Sequence, residues 1–463
     1  MIEMGVEKGD RIAMLLPNCP EFVIIYFGIV KMGGIALPLN VRYKFDELAS
    51  LFNNSQPKVL VAENPSLELL VSALPHFKYI EHVIDLDDKY PGHFISYHQI
   101  MTASSARRVE VALEPEDTAL IVYTSGPTIN PRGVVLSHRS LVTEAVVSGH
   151  GFQQTDKDRV ILFALPMHHV VGLVGILLTA IYQGSTVVIV PGLSIKGVME
   201  IIERERGTIF MGVPYIYALM VDMAEKDGIE DDLSSLRLCG SAGAPLPPGI
   251  MRRFKQHFGM DIIDFWGLTE AVCHTTCPPV DGTGKFGSVG KALPGWGLKI
   301  VDDNGRALPT NQPGEIIVKG PIMKGYYNNP QATAEVIKDG WLYTGDIGRV
   351  DEDGYLFILG RKKEMIIQKG QNIYPGDIEA VLKTNPKVAE TAVIGVPDEV
   401  RGEIVRAYIS LKKGETATEE EMRHFCREHM ANYKSPKQVI FLDSLPKTAT
   451  GQIRKEDLRT FSP

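Results

Sequence analysis

The chain is expected to fold as α/β: a large α/β body, then a smaller β-rich lobe, then a separate α+β module. Three features of the sequence point there. Short apolar runs alternate with helix-length segments over the first part of the chain, the rhythm of α/β layers with largely parallel sheets. After about Gly290 the texture changes to short strands and Gly/Pro turns. From Gly360 onward the charge density rises, and two strand-like runs with a helix-like one after them read as a separate α+β module.

Taken in order, residues 6–15 read as a turn leading into a strand, 19–31 as an apolar helix and 34–38 as a second strand. Strand-like runs recur at 58–62, 118–123, 185–190 and 208–213, with helical stretches between them. The stretch from Val160 to Ile195 holds no Asp, Glu, Lys or Arg, which raises the question of a membrane span. Its cleanest apolar run, Val170 to Tyr182, is too short for a bilayer, so a buried helix followed by a strand is expected. The β-rich lobe takes strands at 298–302, 314–318 and 354–359. The last module takes strands at 389–396 and 404–411 and a helix at 418–428.

At 463 residues the chain is too long for one ordinary core, so at least two domains are expected. The best linker lies near residue 360, giving domains 1–360 and 361–463. Hydrophobic residues at 44% and charged residues at 22% describe an ordinary globular protein. A net charge of −8 argues against a general nucleic-acid binder. Five cysteines are sparse and odd in number, which fits a reducing compartment, and no basic-then-apolar leader opens the chain, so a cytoplasmic location is expected.

Residues 123–134 carry the most functional information: Tyr-Thr-Ser-Gly-Pro-Thr-Ile-Asn-Pro-Arg-Gly-Val, directly after the apolar strand 119–122. A loop rich in hydroxyls and glycine can turn O–H and N–H groups toward one point, as polyphosphate requires. It is not a Walker loop, because no Gly-Lys-Ser/Thr follows at the right distance. It resembles the phosphate loop, YTSGTTGxPKGV, of the AMP-forming acyl-adenylate (ANL) superfamily, in particular its acyl-CoA synthetases of the fatty-acid and 4-coumarate CoA ligase kind. Thr124, Ser125, Gly126, Thr128 and Arg132 fall on its binding positions. Pro127, Ile129 and Arg132 depart from the pattern, the first two by removing an N–H donor and a backbone freedom that glycine would give.

Further motifs follow in the family's order. Pro166-Met167-His168-His169 resembles its P-L-F-H element, which implies that the His169 imidazole lies beside the acyl carboxylate; a lone histidine there would otherwise read as a core residue. Residues 240–245 and Asp264-Phe265-Trp266-Gly267-Leu268-Thr269-Glu270 suggest an adenine slot between a Gly-Ala-Pro wall and an aromatic face. By resemblance Gly243, Ala244 and Pro245 form one side and Trp266 the other, and Asp264 accepts from the adenine amino group. Thr269 reaches phosphate and Glu270 holds Mg²⁺, a hard cation suited to carboxylate. Phe265 stands where many relatives have glycine and would narrow the acyl pocket.

Residues 343–346 and 360–363 complete the nucleotide set. The resemblance gives Asp346 the ribose hydroxyls, puts Arg361 nearby and makes Lys363 the hinge of a rotating C-terminal domain. Gly370, in Gly370-Gln371-Asn372-Ile373-Tyr374-Pro375, falls on the loop that meets the pantetheine arm. Near the end, 446–455 match PKTxxGKIxR up to Gly451, and then Gln452 takes the place of the lysine used in adenylation. A cation at a developing oxyanion contributes about 2.7–4 kcal/mol, and a neutral amide cannot supply it. The family's opening strand and helix have no counterpart before residue 6, through truncation or a shorter edge. Gly282 to Gly287 spells GxGxxG but follows a Pro-Pro turn with no helix after it, and Cys273/His274/Cys277 lack a second ligand pair, so neither motif is assigned a ligand.

The resemblance thus implies two α/β sheets plus a distorted β-barrel in the large domain and a small mobile α+β domain after it. It implies an ATP-dependent acid–CoA ligase acting on a small-molecule, apolar carboxylic acid, fatty or aromatic, with ATP, Mg²⁺ and CoA. No nucleic acid and no transmembrane segment are expected, and a homodimer is compatible with the sequence. A degenerate relative that binds acyl-AMP, AMP or CoA with little turnover, or an adenylating enzyme with a different acceptor, stays open.

Overall fold

A computed structural model describes the whole chain except residues 108, 125–130, 191, 193, 229–230, 244–245, 247, 363–365, 374, 447–452, 454 and 460–463. It divides into two compact units. One comprises Met1–Val41, Phe52–Thr124 and Gly133–Lys362, and the other comprises the rest.

Among the described residues the first unit holds three large sheets and a short antiparallel pair, Thr276–Cys277 with Lys291–Ala292. In the largest, the strands Thr118–Tyr123, Ile35–Pro38, Arg11–Leu15, Val59–Ala62, His82–Asp85 and Ile95–Ser96 lie side by side in parallel; Gly133–Ser137 and Gly325–Tyr326 extend one edge antiparallel. Strands covered on both faces need apolar residues at every position, which explains the unbroken runs Ile12–Leu15 and Val59–Ala62, all essentially inaccessible to water. The second sheet has five parallel strands in the order Ile262–Asp264, Leu238–Ser241, Ile209–Gly212, Arg159–Leu162, Thr186–Ile189. The third is an antiparallel, curled half-barrel built from Gly297–Val301, Gly314–Lys319, Trp341–Val350, Ile337–Lys338 and Leu356–Arg361.

The apolar stretch after His169 forms a helix, as its composition suggests, but not a regular one. Val171–Leu178 is a π-helix that continues as the α-helix Thr179–Gln183. Two local features favour the wider turn. Gly172 lies so close to the Pro166 carbonyl that a Cβ would stand 2.4 Å from it, and the Thr179 hydroxyl takes the Val174 carbonyl at 2.9 Å. No helix among the described residues is long and apolar enough to cross a membrane.

The second unit has its own core around Ile366, Ile378, Leu382, Val405 and Met422. Its antiparallel pair Val388–Asp398 and Gly402–Leu411 carries Ile366–Gln368 and Gln438–Phe441 at the flanks, with helices Pro375–Thr384 and Glu419–His429. The buried Lys434 ammonium stands between two carboxylates, Glu47 at 2.8 Å and Asp377 at 3.4 Å.

Candidate active site

Parallel strands collect functional groups where they end, because the loops that leave their carboxyl ends converge on one crevice. The second sheet does this with four consecutive neighbours. Arg159–Leu162 leads to Pro166–His169, Ile209–Gly212 ends at Gly212, Leu238–Ser241 leads to Gly243, and Ile262–Asp264 ends at Asp264 with Trp266 beyond. The register pairs Ser241 with Asp264 directly. Gly243 takes φ +84, a conformation that side chains resist, and it is exposed.

His169 opens the π-helix turn: its N–H donates to the Pro166 carbonyl at 3.0 Å and its own carbonyl accepts from Leu173. Burial pushes its imidazole down to about 4, so at neutral pH the ring is uncharged and offers one donor and one acceptor. The segment before it is bent at Ala164, φ +55, where Leu165 N–H reaches back to Phe163 O at 2.7 Å. That is a γ-turn of positive φ, a strained form. Asn18 holds the result in place: its amide donates to Leu165 O at 2.9 Å and accepts from Met167 N–H at 2.8 Å.

Asp264 is half-buried, and desolvation lifts its carboxyl to about 7 against the opposing hydrogen bond from the Leu246 backbone. Trp266 is buried, and its indole Nε1–H donates to Asp346 Oδ2 at 2.9 Å. Asp346 arrives from the half-barrel. The Thr344 hydroxyl accepts from the Asp346 N–H at 3.1 Å and donates to Ile316 O, while Gly345 makes the turn at φ +72. Arg361 lies opposite Asp346 in the strand register. The structure therefore joins the base side and the sugar side of the expected nucleotide site through one hydrogen bond.

Thr269 and Glu270 sit on a short turn, both half-buried. The Tyr326 hydroxyl donates to Glu270 Oε1 at 2.8 Å, and the Glu270 carbonyl accepts from Met323 N–H. Tyr326 pairs with Val134 on the strand Gly133–Ser137, which begins where the hydroxyl-rich loop ends. A carboxylate with one oxygen oriented by a tyrosine has the chemistry to take a divalent cation.

Thr124, half-buried, ends the strand Thr118–Tyr123, whose Tyr123 hydroxyl is fixed by Asn54 at 2.5 Å. Arg132 and Gly370 are half-buried and belong to the second unit. Ser125, Gly126, Pro127, Thr128, Ile129, Ala244, Pro245, Lys363 and Gln452 lie outside the described residues. Sequence reasoning missed Asn18, Glu144, His274 and Tyr326, four residues that orient the motif segments. His274 stands only within Cys273/His274/Cys277, which is assigned no ligand, while Asn18, Glu144 and Tyr326 belong to no motif and bond to partners far away along the chain.

Comparison with known proteins decides the family. The AMP-binding enzyme profile matches residues 1–327, and the AMP-binding enzyme C-terminal domain profile matches residues 377–452. The chain belongs to the AMP-binding enzymes. It is 37% identical to indoleacetate–CoA ligase of Aromatoleum aromaticum, over 98% of this chain and 89% of that one. It is 35% identical to a long-chain-fatty-acid–CoA ligase of Bacillus subtilis, over 98% and 86%. Among solved structures, amide bond synthetase McbA of Marinactinospora thermotolerans superposes with a TM-score of 0.89 at 28% identity, covering 99% of this chain and 91% of that one. The curated relatives are AMP-forming acid–thiol ligases, so this AMP-binding enzyme is a ligase of that superfamily, with ATP and CoA as the substrates such ligases use.

Proposed function

We propose that this AMP-binding enzyme is an ATP-dependent acid–CoA ligase that activates an apolar carboxylic acid, fatty or aromatic. The observation that carries the reading is the Trp266–Asp346 hydrogen bond at the carboxyl ends of the parallel sheet, which prearranges an aromatic face and a carboxylate side by side. Fatty-acid and indoleacetate ligases among the relatives support both kinds of acid. The five free thiols agree with a reducing, cytoplasmic setting.

In the first step a substrate carboxylate oxygen attacks the α-phosphorus of ATP; the bond to the bridging oxygen breaks and pyrophosphate leaves. In the second, the CoA thiolate attacks the acyl carbon and AMP leaves with the electron pair. Trp266 stacks the base, Asp264 accepts from its amino group and Asp346 grips the ribose. Thr124, Ser125, Thr128, Arg132 and Thr269 hold phosphate oxygens, while Arg361 lies beside the ribose and Gly370 lines the thiol arm. Glu270, oriented by Tyr326, would hold Mg²⁺, which when bound supplies positive charge against the phosphate oxygens. Neutral His169 hydrogen-bonds the acyl carboxylate without adding a charge that would stabilise the ground state. Lys363 is the hinge about which residues 361–463 rotate between the steps.

Gln452 makes the first step slow. A neutral amide replaces a cation at the transferring α-phosphate, so adenylation limits turnover and thioester formation does not. Incubation with ATP, CoA and a panel of short-chain, long-chain and aryl acids tests the whole reading: AMP and acyl-CoA should appear together. Tight binding without product would instead mark a degenerate relative. A different acceptor is the second reading, favoured by the amide bond synthetase among the structural neighbours; it requires AMP release that depends on an amine and not on CoA.

A further inference from the structure

One buried group has no part in the chemistry above. Glu144 lies on the helix His138–Gly151, yet its side chain is fully removed from water. A carboxyl in such a place needs partners, and it finds them in the loop that follows Trp266. Its Oε1 accepts from the His274 backbone N–H at 2.6 Å and from the Ser148 hydroxyl at 2.9 Å. Ser148, one helical turn on, also meets His274 Nδ1 at 2.7 Å. Because the hydroxyl donates its proton to Glu144, it must accept from His274, which assigns the ring proton to Nδ1. The ring then stands edge-on to Phe265, centroids 4.4 Å apart at 89°, and to Phe152 at 5.1 Å.

The loop so held is under strain. Val272, a β-branched residue, adopts φ +64 and ψ −52, and Cys273 N–H returns to Ala271 O at 2.7 Å. This is a second γ-turn of positive φ, directly after Glu270. The loop closes on itself so tightly that a Cβ on Gly267 would stand 1.6 Å from the Cys273 carbonyl oxygen. The Trp266 carbonyl accepts from both Thr275 and Thr276, sealing the base. Strain of this kind persists only where the surroundings over-determine it.

We propose that Glu144 is a positioning residue: from within the core it pins His274, and through it the strained turn that presents Thr269 and Glu270 to the nucleotide and its metal. This rests on the ligase reading for what the loop presents, but the anchoring is a property of the fold. Glu144, Cys273 and His274 could also read as a metal cluster, since their ligating atoms lie within 4.8 Å of one another. The hydrogen-bond chain already engages Oε1 and Nδ1, so we assign it to anchoring instead.

The test compares Glu144→Gln, which keeps the acceptor, with Glu144→Leu, which removes it, and measures ATP affinity by calorimetry over a range of Mg²⁺ concentrations. The Leu variant should bind ATP at least tenfold more weakly in Mg²⁺, lose hydrogen-exchange protection at the His274 amide, and show a raised KM for ATP; the Gln variant should rescue all three. If Glu144→Leu does not fold, Ser148→Ala carries the same test, with about a threefold loss. Unchanged ATP affinity in a folded Leu or Ala variant overturns the proposal, and so does stoichiometric metal in the purified protein that Glu144→Gln abolishes. A wild-type protein that binds ATP but makes no acyl-CoA defeats the ligase reading alone and leaves the anchoring supported, because the binding contrast between variants stands without turnover.

Discussion

The Trp266 indole N–H and the Asp346 carboxylate oxygen, 2.9 Å apart and both buried, join the parallel sheet to the half-barrel at the centre of the candidate site. Neither residue is near the other in sequence, and each belongs to a different motif. Replacing Trp266 with Phe keeps most of the apolar face and removes the donor. The expected loss is about 1.5–3 kcal/mol of stability, because the bond removed is to a buried carboxylate, read by denaturant midpoint, with weaker AMP binding by calorimetry. AMP affinity equal to wild type in that variant would separate the indole from the nucleotide.

Gly267 tests the tight loop. A methyl group there has no room beside the Cys273 carbonyl, and a backbone atom cannot yield as a side-chain end can. Gly267→Ala should therefore displace the turn that carries Glu270 and cost about 3 kcal/mol or more. ATP-dependent product formation should fall at least a hundredfold, with the melting temperature falling alongside.

The Glu144 carboxyl gives a pH dependence with a definite sign. Burial raises it from an ordinary 4.5 to about 8, so the folded state keeps a proton that the unfolded state gives up. Its contribution to stability is complete below about pH 4.5 and is lost as pH rises toward 8, on the order of 1.4 kcal/mol per pH unit at most. His274, held down to about 3, and Cys273, whose thiol is pushed up by burial, do not titrate in this window. Urea unfolding from pH 5 to 8 should show a slope that Glu144→Gln flattens; equal slopes would mean the carboxyl is not buried in solution.

Legibility of the fold followed from hydrophobic pattern. The runs at 118–123 and 208–213 lie on strands within a residue or two because a strand buried on both faces admits little else, and the run at 389–396 lies on the antiparallel strand Val388–Asp398, whose middle is apolar and buried. The π-helix was not legible, since periodicity cannot separate it from an α-helix and the close approach of Gly172 to the Pro166 carbonyl has no signature in residue type alone. The motif residues could be read because each falls in a short contiguous segment whose spelling resembles the family's. Asn18, Glu144 and Tyr326 could not, because a hydrogen bond across more than fifty residues leaves no local pattern.

Tyr326 and Glu270 offer a graded test of the metal site. Removing the hydroxyl in Tyr326→Phe should raise the Mg²⁺ concentration for half-maximal activity about tenfold, within the range for losing an outer-shell partner. Glu270→Gln should raise it further. Identical Mg²⁺ titrations for all three proteins would remove Glu270 from metal binding.

If ATP is consumed here to activate an acid and Gln452 limits the first step, pyrophosphate release with the best acid separates the wild type from Gln452→Lys. Release should depend on the acid and rise at least tenfold on restoring the lysine, while transfer from preformed acyl-AMP to CoA stays the same. Acid-independent release would remove the acid from the reaction, and no change on restoring the lysine would remove Gln452 from the first step.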